Sequence, residues 1–147
     1  MGKKTFFVKL ELFKCQDLIA LTNEVQDVSS AYATFTLGGL TKTSTCIKSS
    51  LDPRWSPSEK FEFEVDEWEN EFLIAQVFDR SKDGQDNLIG SAVIPLALYA
   101  GSRNSEMCSY PLVLPDEVGE MGLPKSDMFL QIRLLNGDGS LVEELCW

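Results

Sequence analysis

Apolar and polar residues alternate along most of this chain in short segments, which is the pattern of β-strands. The clearest segment, K-F-E-F-E-V at 60–65, places two phenylalanines and a valine on one face and two glutamates on the other. The predicted strands are 6–13, 32–37, 41–47, 60–65, 72–78, 88–94, 107–113 and 128–135. Helical patterns are limited to single turns within 66–72 and 95–99. The pattern therefore predicts an all-β fold, an eight-stranded antiparallel β-sandwich of the Greek-key kind.

The size of the chain fits one domain. It has 147 residues, and 44% of them are hydrophobic, which is enough to fill a single core. We assign residues 1–135 to this domain, and residues 136–147, which begin with the turn N-G-D-G, to a C-terminal tail. The segment 115–125 is the best candidate for a loop.

Composition narrows the function classes. The net charge of −10 disfavours non-specific attraction to nucleic acid and to anionic lipid. The chain has no histidine, and its cysteines (Cys15, Cys46, Cys108 and Cys146) form no C-x-x-C pair, so zinc sites and His-based catalysis are not predicted. No apolar run approaches the roughly 20 residues of a membrane span, and the first residues lack a secretory signal pattern. We predict a cytoplasmic, non-enzymatic protein.

One loop, between the fifth and sixth predicted strands, concentrates oxygen donors that suit calcium. Asp79, Asp83, Asp86 and Asn87 lie within nine residues. The opening D-x-S-x-D-G matches an EF-hand, but the twelfth position carries Gly90 instead of glutamate, and the flanking segments have the pattern of strands. We therefore do not predict an EF-hand.

The order of short motifs along the chain resembles that of a known family. The motifs are L-E-L at 10–12, C-Q-D-L at 15–18, S-S-A-Y at 29–32, L-D-P-R-W at 51–55, F-E-F at 61–63, V-F-D at 77–79, L-I-G at 88–90 and Y-P-L at 110–112. With the closing apolar strand at 129–134 they resemble the C2 domain, the calcium- and lipid-binding β-sandwich of synaptotagmins, protein kinase C and phospholipases. The resemblance covers about residues 5–135. Because the last strand follows Y-P-L and nothing strand-like precedes Thr5, the strand order is similar to the phospholipase type, called type II.

The resemblance implies a calcium site between two loops, which five aspartates usually supply in this family. Here Glu24 stands at the first position and Ser30 at the second, and only Asp79 is retained. Ser81 and Asn87 replace the remaining aspartates. Because calcium affinity follows the number of charged ligands, we predict weak calcium binding at most and no other cofactor.

The residues of this degenerate site, including non-standard substitutes, are Glu24, Asp27, Asp79, Asp83, Asp86 and Asn87. The candidate membrane-inserting tips are Leu21, Val25 and Val28. The family's second lipid site, a lysine-rich face for phosphoinositides, is disfavoured because Glu64 and Asp66 stand where such members have lysines, although Lys42, Lys48 and Lys60 remain as a scattered set.

Three functions follow from this interpretation. The leading hypothesis is a calcium-independent C2-like module that binds a protein partner or is recruited peripherally to a membrane within a larger protein. Its candidate partner face is acidic and comprises Glu11, Glu62, Glu64 and Asp66. The alternative is a calcium-dependent phospholipid-binding C2 domain for membrane targeting or trafficking. A carbohydrate-binding or hydrolytic β-sandwich is the third; the motif order and the lack of histidine disfavour it. The sequence does not specify an oligomeric state.

Overall fold

The structure is a computed structural model that describes residues 5–18, 30–48, 52–80, 84–101, 104, 106–113 and 126–143. Its strands are β1 (Phe6–Gln16), β2 (Ala31–Leu37), β3 (Leu40–Thr43), β4 (Arg54–Val65), β5 (Phe72–Asp79), β6 (Asn87–Pro95), β7 (Met107–Pro111) and β8 (Asp127–Leu135). Two single 3₁₀ turns, Trp68–Asn70 and Leu96–Tyr99, lie in the two places where helical turns were predicted. The predicted loop at 115–125 lies outside the described residues.

The strands form two four-stranded antiparallel sheets. The first, which we call sheet A, has the order β4-β1-β8-β7, and the second, sheet B, has the order β3-β2-β5-β6. The predicted all-β sandwich with eight strands is therefore confirmed. The strand order is confirmed as well, because the last strand, β8, lies between β1 and β7 and pairs with β1 along most of its length.

Two strands, β4 and β3, differ most from the prediction. β4 begins at Arg54, because Arg54 pairs with Lys14 of β1 beyond a bulge that contains the segment W-S-P-S, where the sequence alternation is lost. β3 ends at Thr43, since the chain then turns inward at Ser44, whose N–H donates to the Ala33 carbonyl at 2.8 Å. Ile47 rejoins the sheet only through an isolated bridge to Ala31.

The core lies between the sheets and is built by the inward-facing apolar side chains of each strand. The fully buried large side chains are Val8, Leu10, Leu12, Phe35, Phe63, Leu73, Ile89, Leu96, Met128, Leu130, Ile132 and Leu134. Each contributes about 1.5–3 kcal/mol by removal from water. Trp55 is also buried, at 3% exposure, and its indole N–H donates to the Thr45 carbonyl at 3.0 Å, so it packs under its turn.

Residues 136–143 return to the sandwich. After a turn, Leu141 bridges to Leu135, and Val142 is buried with its N–H donating to the Leu134 carbonyl at 2.9 Å. Asn104 joins this contact from the other side, through hydrogen bonds to Leu134 and Val142. The division of the chain into a domain and a tail at residue 135 stays a prediction.

Within the described ranges, none of the helical turns has the length and apolarity that a membrane span requires.

Candidate functional site

One end of the sandwich carries the loop residues that the sequence analysis singled out. Pairing of β2 with β5 places Ala31 opposite Asp79, and pairing of β5 with β6 places Asp79 opposite Asn87. The loops on both sides of the end are tied together by backbone contacts, since the Arg80 N–H donates to the Ser30 carbonyl at 2.8 Å. The sheet register, not sequence proximity, therefore assembles this end, which we call the loop end. Because the flanks of the second loop are β5 and β6, an EF-hand is excluded.

Asp79 is the most buried carboxylate at the loop end, with 3% of its surface exposed. Its Oδ1 accepts the backbone N–H of Ser30 at 3.0 Å. Its Oδ2 is buried and has no hydrogen-bond partner in the described part of the chain. A buried carboxylate oxygen without a partner is costly, because it has lost its water and gained nothing in exchange. Asp79 therefore both ties the two loops together and presents one unsatisfied oxygen.

A second group at the loop end joins Tyr32, Asp86 and Arg80. The Tyr32 hydroxyl donates to Asp86 Oδ2 at 2.5 Å. The Arg80 guanidinium lies over the Tyr32 ring, with its carbon 5.1 Å from the ring centroid, and the Phe78 ring stacks on Tyr32 at a centroid distance of 5.5 Å. Cation–π and stacking contacts of this kind contribute about 0.5–1 kcal/mol each at exposed positions.

The charges of Asp86 and Arg80 shift the pKa of Tyr32 in opposite directions. Burial, together with the hydrogen bond and the negative charge of Asp86, raises the pKa of Tyr32 to about 12, while the positive charge of Arg80 opposes that rise. Burial also raises the pKa of Cys46, against the opposing charge of Arg80 and with a further contribution from Asp79. Arg80 therefore acts as a fixed cation close to the carboxylates of the loop end.

The structure brings together three of the six predicted metal-site residues, Asp79, Asp86 and Asn87. The other three, Glu24, Asp27 and Asp83, and the membrane-tip candidates Leu21, Val25 and Val28, lie outside the described residues. Among the residues that the structure does describe, there is no group of three His, Cys, Asp or Glu side chains that could hold a metal ion.

Sequence reasoning missed the roles of Tyr32 and Arg80. Both were visible at quoted motifs, Tyr32 at the end of S-S-A-Y and Arg80 directly after V-F-D. Their contact depends on the pairing of Tyr32 with Phe78, across 46 residues of sequence, which the motifs alone do not specify. The signal that the sequence did offer for this contact was Arg80, a cation directly after the retained Asp79.

The four partner-face candidates fall on two separate surfaces. Glu11 and Glu62 line a shallow groove of about 340 Å³ on the outer face of sheet A, and Glu64 lies one row further along β4. The groove is lined by Lys9, Glu11, Lys60, Glu62, Gln131 and Arg133, together with the backbone neighbours Leu10 and Phe61. Across the β1–β4 pair, Glu62 lies opposite Lys9 and Glu11 lies opposite Lys60, whereas Glu64 lies opposite Phe7. This face is therefore mixed in charge, and its role as a partner face stays a prediction.

Asp66 lies apart from these residues, in a wider groove of about 680 Å³ at the end of β4. Phe6, Trp68 and Val142 contribute apolar surface to this groove, and Glu67, Glu69 and Glu143 contribute further negative charge. Asp66 therefore does not belong to one continuous surface with Glu11 and Glu62.

Two of the three scattered lysines, Lys42 and Lys60, lie on different sheets. The Lys42 amine donates to the Glu62 carbonyl of sheet A at 2.5 Å and lies 5.3 Å from the centre of the Phe63 ring. Its charge is thus held at the edge between the two sheets, whereas Lys60 lies in the groove of sheet A. The Lys42 side chain therefore points toward β4 and not outward from β3.

The sandwich, its strand order and the loop end define a class of protein. The family pattern described as "C2 domain" matches residues 7–112, and the chain belongs to that family. A curated relative, extended synaptotagmin-3 of Xenopus tropicalis, is 32% identical over 93 residues, which are 60% of this chain and 10% of that protein. The chain thus spans about a tenth of the length of this relative.

Solved structures agree with the fold. A C2 domain of plant Extended Synaptotagmin 1 matches with a TM-score of 0.72 at 16% identity, covering 92% of this chain and 98% of that one. A calcium-bound pair of C2 domains from Extended-Synaptotagmin 2 matches with a TM-score of 0.69 at 22% identity, covering 92% and 47%. Human GIVD cytosolic phospholipase A2 matches with a TM-score of 0.70 at 9% identity, covering 91% and 17%. At these identities the likeness concerns the fold alone.

Proposed function

We propose that this chain is a non-enzymatic C2 interaction module that works without calcium and binds a protein partner, as part of a larger cytoplasmic protein that is recruited peripherally to membranes. The observation that carries the proposal is the internal bonding of the loop end. One oxygen of Asp79 accepts the Ser30 N–H, and one oxygen of Asp86 accepts the Tyr32 hydroxyl. One oxygen of the retained family aspartate, Asp79, and one of its non-standard neighbour, Asp86, are thus used within the chain.

The charge of the loop end supports the same conclusion. Calcium takes about six to eight oxygens, and its affinity rises with the number of charged ones. The described loop end offers the carboxylates of Asp79 and Asp86, while Asn87 is neutral and Ser30 contributes its backbone. Arg80 adds a positive charge beside Tyr32. A cation that is covalently part of the chain repels a divalent ion and offsets part of the negative charge that would attract it.

A second candidate function is favoured by one specific observation. Asp79 Oδ2 is buried without a hydrogen-bond partner in the described residues, which is the state of a carboxylate that awaits a cation. In this alternative the chain is a calcium-dependent phospholipid-binding C2 domain, with Glu24, Asp27 and Asp83 as further ligands. The calcium-bound structure of Extended-Synaptotagmin 2 supports the alternative by analogy of fold.

Calcium titration of the whole chain separates the two candidates. If calcium bound with a dissociation constant of about 10 μM, then 1 mM calcium would stabilise the folded chain by about 2.7 kcal/mol and raise its Tm by about 5–10 °C. We expect a Tm in 1 mM calcium within about 1 °C of the Tm in EDTA. We also expect no calcium-dependent sedimentation with phosphatidylserine vesicles.

The double variant Arg80→Gln with Asn87→Asp is the positive control, because it removes the internal cation and restores one carboxylate at a family position. Removing a guanidinium about 8 Å from a divalent ion in a largely solvated site is worth about 1.4 kcal/mol, or about tenfold in affinity. We expect this variant to gain a calcium-dependent Tm rise that the native chain lacks. A rise of several degrees in the native chain, with calcium-dependent vesicle binding, would establish the second candidate instead.

A further inference from the structure

The outer face of sheet B is free of charge. Its outward positions are Tyr32, Thr34 and Thr36 of β2, Thr41 and Thr43 of β3, Phe72, Ile74, Gln76 and Phe78 of β5, and Leu88, Ser91, Val93 and Pro95 of β6. None of these described positions carries an Asp, Glu, Lys or Arg side chain, in a chain where 24% of residues are charged. On the outer face of sheet A, by contrast, Lys9 lies opposite Glu62 and Glu11 lies opposite Lys60.

Apolar side chains form the most exposed part of this neutral face. Ile74 and Val93 are directly opposite each other across β5 and β6, with 37% and 62% of their surfaces exposed. Phe72, at 51% exposure, lies two residues before Ile74 on the same side of β5. Thr36 and Thr41 continue the row of Ile74 across β2 and β3, with their hydroxyls hydrogen-bonded to each other at 2.8 Å. The row therefore presents methyl and ring surface with its polar atoms already paired.

The size of the neutral face limits what it can hold. Four strands spaced about 4.8 Å apart, each offering about two to four outward residues, give a face of about 300–400 Å². A stable interface between folded proteins needs about 800 Å² on each partner. A face of this size matches an extended or helical peptide segment, and it is too small for a symmetric contact between two copies of the chain.

Charge specifies the chemistry of the segment. The chain as a whole carries −10, so its field attracts a cationic partner and repels a second copy. Arg80 lies over the Tyr32 ring at one end of the face, where its positive charge opposes the negative charge of Asp86. Glu69 and Glu71 lie before Phe72 at the opposite end, and at the Tyr32 end Asp86 accepts the Tyr32 hydroxyl close to Arg80. An apolar segment with basic residues on either side would place its apolar part on the face and its charges toward these carboxylates.

We propose that the outer face of sheet B is the docking site for a short partner segment with an apolar centre flanked by lysines or arginines. This inference rests on the proposed function, a calcium-independent interaction module, and assigns it a surface and a partner chemistry. The face is distinct from the groove of sheet A and from the loop end.

The test uses a random library of 16-residue peptides displayed on phage and selected against the full chain in EDTA. Enriched peptides are synthesised and titrated by fluorescence anisotropy against the native chain, Val93→Glu and Met107→Glu. Met107 is the matched control, because it lies on the outer face of the edge strand of sheet A with 56% of its surface exposed, close to the value for Val93. Circular dichroism and urea unfolding confirm that both variants are folded.

We expect the enriched peptides to carry apolar centres with basic flanks. We expect Val93→Glu to weaken their binding at least about tenfold, as for a central interface residue, and Met107→Glu to change it less than about twofold. Enriched peptides with acidic flanks, or peptides that bind Val93→Glu and the native chain equally, would overturn this inference while leaving the interaction module intact. The selection is repeated with 1 mM calcium in place of EDTA. Enrichment only with calcium, or no enrichment with calcium or with EDTA, would overturn the proposed function as well.

Two further measurements separate other occupants of the same face. A dimer in sedimentation velocity that dissociates in Val93→Glu would show that a second copy occupies it. Vesicles of phosphatidylserine that bind the native chain but not Val93→Glu would show that lipid occupies it. Either result would overturn the assignment of a basic peptide segment.

Discussion

Asn104 is the residue whose removal tests most directly how residues 136–143 are held. It is 8% exposed, and its amide makes three hydrogen bonds. Its Nδ2 donates to the carbonyls of Leu134 at 2.8 Å and Val142 at 3.1 Å, and its Oδ1 accepts the Leu134 N–H at 2.9 Å. One side chain thus satisfies the backbone of β8 and that of the returning segment.

The cost of Asn104→Ala follows from which groups lose all their partners. The Leu134 carbonyl keeps the Val142 N–H, and the Val142 carbonyl keeps the Gly101 N–H. The Leu134 N–H is left buried without its partner, which costs about 1–3 kcal/mol, and the two lost donor contacts add about 0.5–1 kcal/mol each. We therefore expect the free energy of unfolding to fall by about 3 kcal/mol, and the Tm by about 6–12 °C.

Urea unfolding measures this loss, with Asn136→Ala as the matched control. Asn136 is a partly exposed asparagine on the turn of the same segment, and its Nδ2 donates to the Ser140 hydroxyl at 3.0 Å, so its removal should cost less than about 1 kcal/mol. A second variant, Asn104→Asp, places a carboxylate against two carbonyl oxygens. Its pKa in the folded state would be raised, so its stability should fall as the pH rises from about 4 to about 7. Equal losses for Asn104→Ala and Asn136→Ala would refute the argument.

Three further predictions concern the tail, Tyr32 and Cys15. Ending the chain at Leu135 removes the buried Val142 and should destabilise the domain by about 3 kcal/mol or more, as measured by urea unfolding; an unchanged midpoint would support the predicted division at residue 135. Because the pKa of Tyr32 is raised to about 12 by burial and by Asp86, the folded chain holds this proton more tightly than the unfolded one. The contribution of Tyr32 to stability should then be constant below about pH 10 and fall as the pH rises toward about 12, so the loss should be less steep in Tyr32→Phe; an unchanged slope in that variant would contradict the assignment. Burial raises the pKa of Cys15 to about 12, so iodoacetamide at about pH 8 should label it, by mass spectrometry, only after unfolding, and rapid labelling of the native chain would contradict its burial.

The fold could be predicted from the sequence because its information is local. Alternation such as that of K-F-E-F-E-V assigns each side chain to a face, and eight such segments with turns between them leave a sandwich as the economical arrangement. The boundaries failed where pairing overrode alternation. β4 continues back to Arg54 because Arg54 pairs with Lys14 beyond a bulge, although W-S-P-S itself has no period of two.

The loop end could be predicted only in part. The missing aspartates are visible as sequence positions, so weak calcium binding was a reasonable expectation from Ser30 and Asn87 alone. The substitute contacts were not visible, because the hydroxyl of Tyr32 meets Asp86 from a distance of 54 residues in sequence. The same holds for the acidic residues, since Asp66 and Glu62 are four positions apart yet line different grooves.

These observations suggest how a C2 domain that does not depend on calcium differs from one that does. In a calcium-dependent site the carboxylates repel one another until the ion arrives, so the ion controls the state of the loops. Here the Arg80 side chain supplies a positive charge and the Tyr32 hydroxyl supplies a hydrogen-bond donor, and both are part of the chain itself. The Tyr32 ring, which lies under Arg80 and stacks on Phe78, also forms the end of the neutral face of sheet B, so under the proposed function the contacts that would take the place of the ion also hold that face in shape. A partner segment would then meet the neutral face at any calcium concentration, and control over binding would rest with the supply of the partner.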